Sequence, residues 1–209
     1  MSDNRLRRSL ATDSAILRAL PPGDWLAIGA IAVVCGGAGF WLLGPPVGGA
    51  ALILAALAVV IAACDARLLL VPDVLTVALF VCGLAATTAI VAFAPGASEF
   101  GPGWLVALAS SLGGAALGGA VLGGLRWLWL RLRGVEAMGL ADVKLAAALG
   151  AWLGPVDLFT ALLVAAVAGL AVAIPARFIG RTPGAGGQRL PFAAFLAPAG
   201  WLVFVLVRL

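Results

Sequence analysis

The chain has 209 residues and a formal net charge of +4; 64% of its residues are hydrophobic and 11% charged, against roughly 25% charged in an ordinary soluble domain. With a mean hydropathy of +1.17, a soluble core of this length cannot hide so much apolar surface, which argues against a water-soluble enzyme. There is no histidine, which removes Ser-His-Asp and Cys-His catalysis, HExxH zinc sites and His-ligated haem.

Residues 1–24 form a polar tail that starts with Arg5, Arg7 and Arg8 and ends at Asp24, where a helix N-cap is expected. Seven apolar runs follow in chain order: Trp25–Leu43, Val47–Cys64, Val74–Ala94, Trp104–Leu130, Val143–Leu153, Leu158–Phe178 and Phe192–Val207. A spanning helix needs about 20 residues, and all but Val143–Leu153 meet or nearly meet that length. The short run is expected to extend toward Met138 or to flank a dip in the membrane. The breaks carry turn residues: Gly44-Pro45-Pro46, Pro95-Gly96, Gly101-Pro102-Gly103, Gly154-Pro155 and Pro183-Gly184. The runs are too long and too rich in Ala and Leu for barrel strands. The expectation is an all-α polytopic membrane protein of about seven transmembrane helices, with residues 25–209 as one transmembrane domain after the tail. The first run is too long for a signal h-region and is read as a retained helix.

With a cytoplasmic N-terminus and seven spans, twelve of the thirteen basic residues fall inside, and Arg208 alone falls outside. The positive charge is then a topology signal. It calls for no nucleic-acid partner; the partner it implies is the lipid bilayer. In the fourth run, Gly114 to Gly118 and Gly119 to Gly123 are GxxxG spacings, which let helix backbones approach closely. Cys35, Cys64 and Cys82 form no CxxC and are expected to be free thiols within apolar segments.

Without histidine, acid–base chemistry falls to nine carboxylates. Asp3, Asp13 and Asp24 belong to the tail, and Glu99 and Asp157 to far-side loops. Four remain at the cytoplasmic edge. Asp73 follows Pro72 and reads as an N-cap, and Glu136 as a solvated charge among arginines. Asp65 stands at a helix C-terminus, where the macrodipole opposes a carboxylate. Its neighbour Arg67 is an i,i+2 residue that does not share its face. Asp142, in Gly139-Leu140-Ala141-Asp142-Val143-Lys144, is open to an N-cap reading. Its approach is glycine-rich, the only lysine of the chain lies two residues on and the helix is short, and ionisable residues at membrane depth are usually functional. Two aspartates at two helix ends on one side of the membrane are what an aspartic protease needs. Such a pair shares a proton; one carboxylate activates water while the other protonates the scissile carbonyl.

The stretch Asp65-Ala66-Arg67-Leu68-Leu69-Leu70-Val71-Pro72-Asp73-Val74-Leu75-Thr76 resembles the first aspartate motif of the type IV prepilin peptidases. There an aspartate precedes, by several residues, an Ile/Leu-Pro-Asp/Asn-x-Leu-Thr segment. Met138-Gly139-Leu140-Ala141-Asp142-Val143-Lys144-Leu145 resembles the second, GxGDxK. Ala146–Gly154 also reads like that family, and Leu190-Pro191-Phe192-Ala193-Ala194-Phe195 is similar to its C-terminal Pro-Phe-x-x-Phe segment. The resemblance covers about residues 47–209.

The resemblance implies one N-terminal helix plus a six-helix peptidase core. It also implies a membrane aspartic endopeptidase that needs no metal or cofactor and has Asp65 and Asp142 as its catalytic pair. Gly139 and Lys144 match the second motif, and Arg67 and Asp73 match the first in structural roles. The implied substrates are prepilins or pseudopilins, cut after a glycine at the cytoplasmic face of the bacterial inner membrane. Pilus or type II-like secretion machinery is then an indirect partner. With no CxxC near the start, the chain resembles the short form without a methylation domain. Ala141 stands where the motif has glycine and limits φ > 0; Ala193-Ala194 replaces a frequent Gly-Pro. Three other functional readings are a proton- or cation-coupled transporter, an inactive assembly component, and a Ser–Lys protease. The last would use Lys144 with Ser110 or Ser111, which lie in the far-side half of their run.

Overall fold

The computed structural model describes residues 12–92, 103–134, 138–178 and 191–209, and their regular structure is helical throughout. A short helix at residues 12–18 precedes six longer ones. They are α1 (Pro22–Leu43), α2 (Val47–Leu68), α3 (Asp73–Ala92), α4 (Gly103–Arg133), α5 (Leu140–Phe178) and α6 (Ala193–Leu206). Five of them, α1 to α5, are long and apolar enough to cross a membrane, and α6 is a shorter apolar helix. The protein is therefore an all-α polytopic membrane protein. Glu99, Glu136 and the expected turns at Pro95-Gly96 and Pro183-Gly184 lie outside the described residues.

The fifth and sixth apolar runs both fall in α5, which is interrupted at Gly154 (φ 76°, ψ −179°) ahead of Pro155. The interruption is a reversal. A Cβ built on Gly118 of α4 would touch both the Ala146 carbonyl and a Leu158 methyl, and one built on Gly114 would touch both Gly150 and Gly154. On a straight helix, residues 146 and 158 would stand about 18 Å apart. The two legs, 140–153 and 155–178, instead fold back on each other. Both pack on α4, the first antiparallel to it and the second parallel. Gly154 takes the left-handed φ that an L side chain rarely adopts, and Pro155 has no N–H to leave unpaired at the start of a helix. The alternation of seven runs is thus kept. At about 1.5 Å per residue the first leg is only ~21 Å long, against a hydrocarbon core of about 30 Å.

That short first leg is the centre of the bundle. Leu145, Ala146, Leu149, Ala151 and Trp152 are fully buried in it. Trp152 donates its indole N–H to the Leu79 carbonyl of α3 at 2.7 Å and meets Phe204 of α6 edge-on, with ring centroids 5.6 Å apart. The glycines of α4 make this closeness possible, as their GxxxG spacing leads one to expect. Gly114 and Gly118 lie directly against backbone of the first leg, and Gly119 and Gly123 face Ala147 and Val143.

The antiparallel succession gathers the ends of the helices into two sets. One end holds Asp24, Arg67, Asp65, Asp73, Asp142 and Lys144; the other holds Asp157 and Arg208. Arg208 donates to the Trp152 carbonyl at 3.3 Å and to the Phe204 carbonyl at 3.3 Å. It thereby satisfies carbonyls left open where the first leg of α5 and α6 end.

The boundary expected at residue 24 falls inside a helix. α1 starts at Pro22, a proline position that suits the first helical turn. Asp24 is therefore not the N-cap that the sequence suggests. The preceding segment is packed: Leu20 is 3% exposed and clusters with Ile28 and Cys64, with Leu17 and Leu68 alongside. Cys35, Cys64 and Cys82 are free thiols, of which Cys64 is buried and the other two half-buried.

Candidate active site

Asp65 lies in the last turn of α2, which closes on Leu69 in the left-handed conformation (φ 52°), with the Leu69 N–H bonded to the Asp65 carbonyl. Its side chain is turned into the protein and the residue is 7% exposed. The N-terminus of α6 meets it there. The Ala194 N–H donates to Asp65 Oδ2 at 2.9 Å, and the Ala193 N–H also faces the carboxylate. These are first-turn amides with no partner inside α6, and the positive end of that helix favours an anion. What α2's own dipole opposes is offset by α6.

Asp142 occupies the first turn of α5, two positions after Leu140. It is half-buried, and the Gly139 backbone N–H faces its carboxylate. That is half of a capping box: an acidic side chain in the first turn turned back on the amide ahead of the helix. Asp142 is thus the third residue of the helix, and Gly139 stands at the N-cap position. Asp142 and Asp65 lie close enough to act on one another electrostatically. Carboxylates from two helices about 75 residues apart in sequence therefore converge at one end of the bundle.

The nearby cations are engaged with other partners. Arg67 Nη2 donates to Asp24 Oδ1 at 3.0 Å, tying α2 to α1. Lys144 Nζ donates to Asp73 Oδ1 at 2.7 Å, tying α5 to α3. Asp73 is itself the first residue of α3, so it is not the N-cap of that helix. The cap comes from Asp13, whose two oxygens accept the Asp73 and Val74 N–H groups, each at 3.2 Å. Gly139 is half-buried, and no positive φ occurs at Gly139 or Ala141. Alanine at the motif glycine is an ordinary helical residue here, and the left-handed backbone that would have favoured glycine is not required. Arg126 Nε reaches the Met138 carbonyl at 3.2 Å and holds the approach to Gly139.

Beside this cluster, α1, α2 and α6 enclose a groove of about 390 Å³. Small side chains such as Ala58, Ala62 and Ala66 line it, with Asp24 and Arg67 at its polar end and Trp201 deeper in. Ala194, which holds Asp65, also lines it. Asp24 Oδ2 and Trp201 Nε1 are buried there without a hydrogen-bond partner. Among the described residues, no three His, Cys, Asp or Glu side chains are grouped so as to hold a metal ion.

Sequence reasoning finds Asp65, Asp142, Arg67, Asp73 and Lys144, and these gather at one end. It misses Asp13, whose partners lie 60 and 61 positions away. It gives no role to Ala193 and Ala194, which act through backbone amides. The one available signal was the segment Pro191-Phe192-Ala193-Ala194-Phe195, which stands out as a motif without a chemical side chain.

The sequence profile of the type IV leader peptidase family matches residues 52–174, which include both aspartates. A prepilin leader peptidase/N-methyltransferase of Pectobacterium carotovorum subsp. carotovorum is 36% identical over 160 residues, covering 77% of this chain and 52% of that protein. One from Dichelobacter nodosus is 32% identical over 145 residues, covering 68% and 43%. One from Burkholderia pseudomallei (strain K96243) is 42% identical over 98 residues, covering 47% and 31%. The chain spans about half the length, or less, of these curated relatives. No solved structure matches.

Proposed function

The chain belongs to the type IV leader peptidase family, and on that footing we propose that it is a membrane-embedded aspartic endopeptidase that removes the leader from prepilins or pseudopilins. The observation that carries this reading is the convergence of Asp65 and Asp142. Asp65 is held by the Ala193 and Ala194 amides and Asp142 by the Gly139 amide, and the lysine and arginine beside them are engaged by other acids. In the proposed mechanism the pair holds one proton between its two carboxyl groups. The ionised carboxylate takes a proton from a water molecule, whose oxygen attacks the scissile carbonyl, while the other carboxylic acid donates its proton to the carbonyl oxygen. Collapse of the tetrahedral intermediate expels the amine, which takes up a proton from the pair. Lys144 and Arg67 brace the helices that carry the pair. The apolar groove alongside Ala194 is the route by which an apolar substrate segment approaches Asp65.

We place the site at the cytoplasmic face of a bacterial inner membrane. Among the described residues, Arg18, Arg67, Arg126, Arg131, Arg133 and Lys144 lie toward the end of the bundle that holds the aspartates. The positive-inside rule puts that end in the cytoplasm. Arg131 and Arg133 there stack over Trp127 and Trp129, aromatic–basic pairs suited to a membrane interface. The prepilin substrate is inferred from the relatives, which are prepilin leader peptidases, and pilus or secretion assembly is the process that such a product would enter.

The test is leader removal from a prepilin-like substrate, with a basic leader, a glycine and an apolar helix, in liposomes containing the purified chain. Asp65→Asn and Asp142→Asn are each expected to lower the cleavage rate by at least ~10³-fold, a magnitude typical of losing one member of a catalytic set, while still inserting normally. Near wild-type cleavage by either variant would overturn the proposal.

A further inference from the structure

Asp13 is a buried carboxylate that the mechanism above does not use. It belongs to the short helix at residues 12–18, ahead of the first long apolar helix, and is 7% exposed. Both of its oxygens are occupied, one by the Asp73 N–H and one by the Val74 N–H. Those amides open α3, where Pro72 stands just before the helix and has no side-chain acceptor to offer. The acceptor comes from across the protein, and a carboxylate suits the positive end of the helix.

The consequence lies in what the arrangement leaves Asp73 free to do. An aspartate at the start of a helix ordinarily turns its side chain back onto the following amides. Here Asp13 holds the Asp73 and Val74 amides and the Pro72 carbonyl accepts from Leu75 and Thr76, so the Asp73 carboxylate is left without an amide to cap and reaches Lys144 at 2.7 Å. Lys144 is two residues beyond Asp142, in the first turns of α5. A continuous set of contacts therefore runs from residue 13 to the α3 start, to Lys144, to the turn that carries Asp142.

We propose that Asp13 is a positioning residue for the aspartate pair: by capping α3 it directs Asp73 onto Lys144 and so fixes the turn of α5 from which Asp142 projects. This rests on the reading of Asp65 and Asp142 as the catalytic pair. Reacting groups misplaced by about 1 Å can lose on the order of 10²-fold in rate, so loss of this brace acts on turnover more than on substrate binding.

The experiment uses the full chain in liposomes with the same prepilin-like substrate. Asp13→Ala is expected to lower kcat about tenfold per folded molecule, with KM changed less than about twofold, whereas Asp13→Asn, which keeps one acceptor oxygen, restores most of the rate. Because Asp13 acts through Asp73, adding Asp13→Ala to Asp73→Asn lowers kcat by no more than about twofold further. Unchanged kcat per folded molecule in Asp13→Ala, or losses that multiply in the double variant, would overturn the inference. Should Asp13→Ala fail to fold, Asp13→Asn alone carries the test: its smaller loss must vanish in the Asp73→Asn background, and persistence there overturns the proposal. The Asp65→Asn control separates the two levels. If it cleaves, the reading of the pair fails and the inference with it; if it is inactive and Asp13→Ala has wild-type kcat, only the inference fails.

Discussion

Asp65 and Asp142 stand in opposite relations to their own helices. Asp142 is in the first turn of α5, where a carboxylate is favoured; Asp65 is in the last turn of α2, where it is disfavoured. The α6 amides make the second position tenable. The same economy recurs across the site end: each capping or pairing group is borrowed from another part of the chain. Asp13 caps α3, Asp73 holds Lys144, and Asp24 holds Arg67. This explains why local rules misassign Asp24 and Asp73 as N-caps. Both precede or open apolar runs, and the local pattern carries no information about a partner about 40 to 70 positions away. Asp65 is legible for the converse reason: no local rule accounts for it. Ala193 and Ala194 are illegible because a backbone amide looks the same at every residue.

At the scale of elements, the helices were readable from run length and from Gly-Pro breaks. The reversal at Gly154-Pro155 follows from a residue that tolerates φ 76° and one that lacks an N–H. The close seam between α4 and the first leg of α5 follows from GxxxG spacing. Which glycines serve it is a matter of helix phase, and the structure separates them. A side chain at Gly118 would run into the Ala146 backbone, whereas one at Gly113 meets nothing within 4 Å. Gly118→Leu is therefore expected to destabilise the bundle by about 1–3 kcal/mol, the usual cost of overpacking. Gly113→Leu should stay within about 0.5 kcal/mol of the parent, as ordinary surface changes do. Thermal unfolding in detergent compares them, and equal midpoints for the two variants would contradict the seam.

For the whole molecule, alternation of helix direction turns a list of runs into a two-ended bundle. Both aspartates and most described basic residues lie at one end, and Arg208 lies at the other. The first leg of α5 is too short to cross a bilayer alone, yet its reversal keeps the alternation of helix direction along the seven runs. What the sequence withholds at this scale is adjacency. Nothing in the order of runs reveals that α6 lies against α2, which is the contact that brings Ala194 to Asp65. Orientation is testable by thiol labelling of intact cells that carry single cysteines on a cysteine-free background. Cysteine at Arg208 should react with a membrane-impermeant reagent from outside, and cysteine at Arg133 only after lysis. Reaction at residue 133 in intact cells would invert the assigned orientation.

The most direct measurement of the central claim is the cleavage rate of the Asp65→Asn/Asp142→Asn double variant set against the two single variants, on one substrate in liposomes. Residues that act as one catalytic unit lose nearly everything at the first substitution, so the second adds little. The expected result is a double variant no slower than either single variant, all three at the uncatalysed background. Two single variants that each retain measurable cleavage, with losses that multiply in the double, would show two independent carboxylates and contradict the pair.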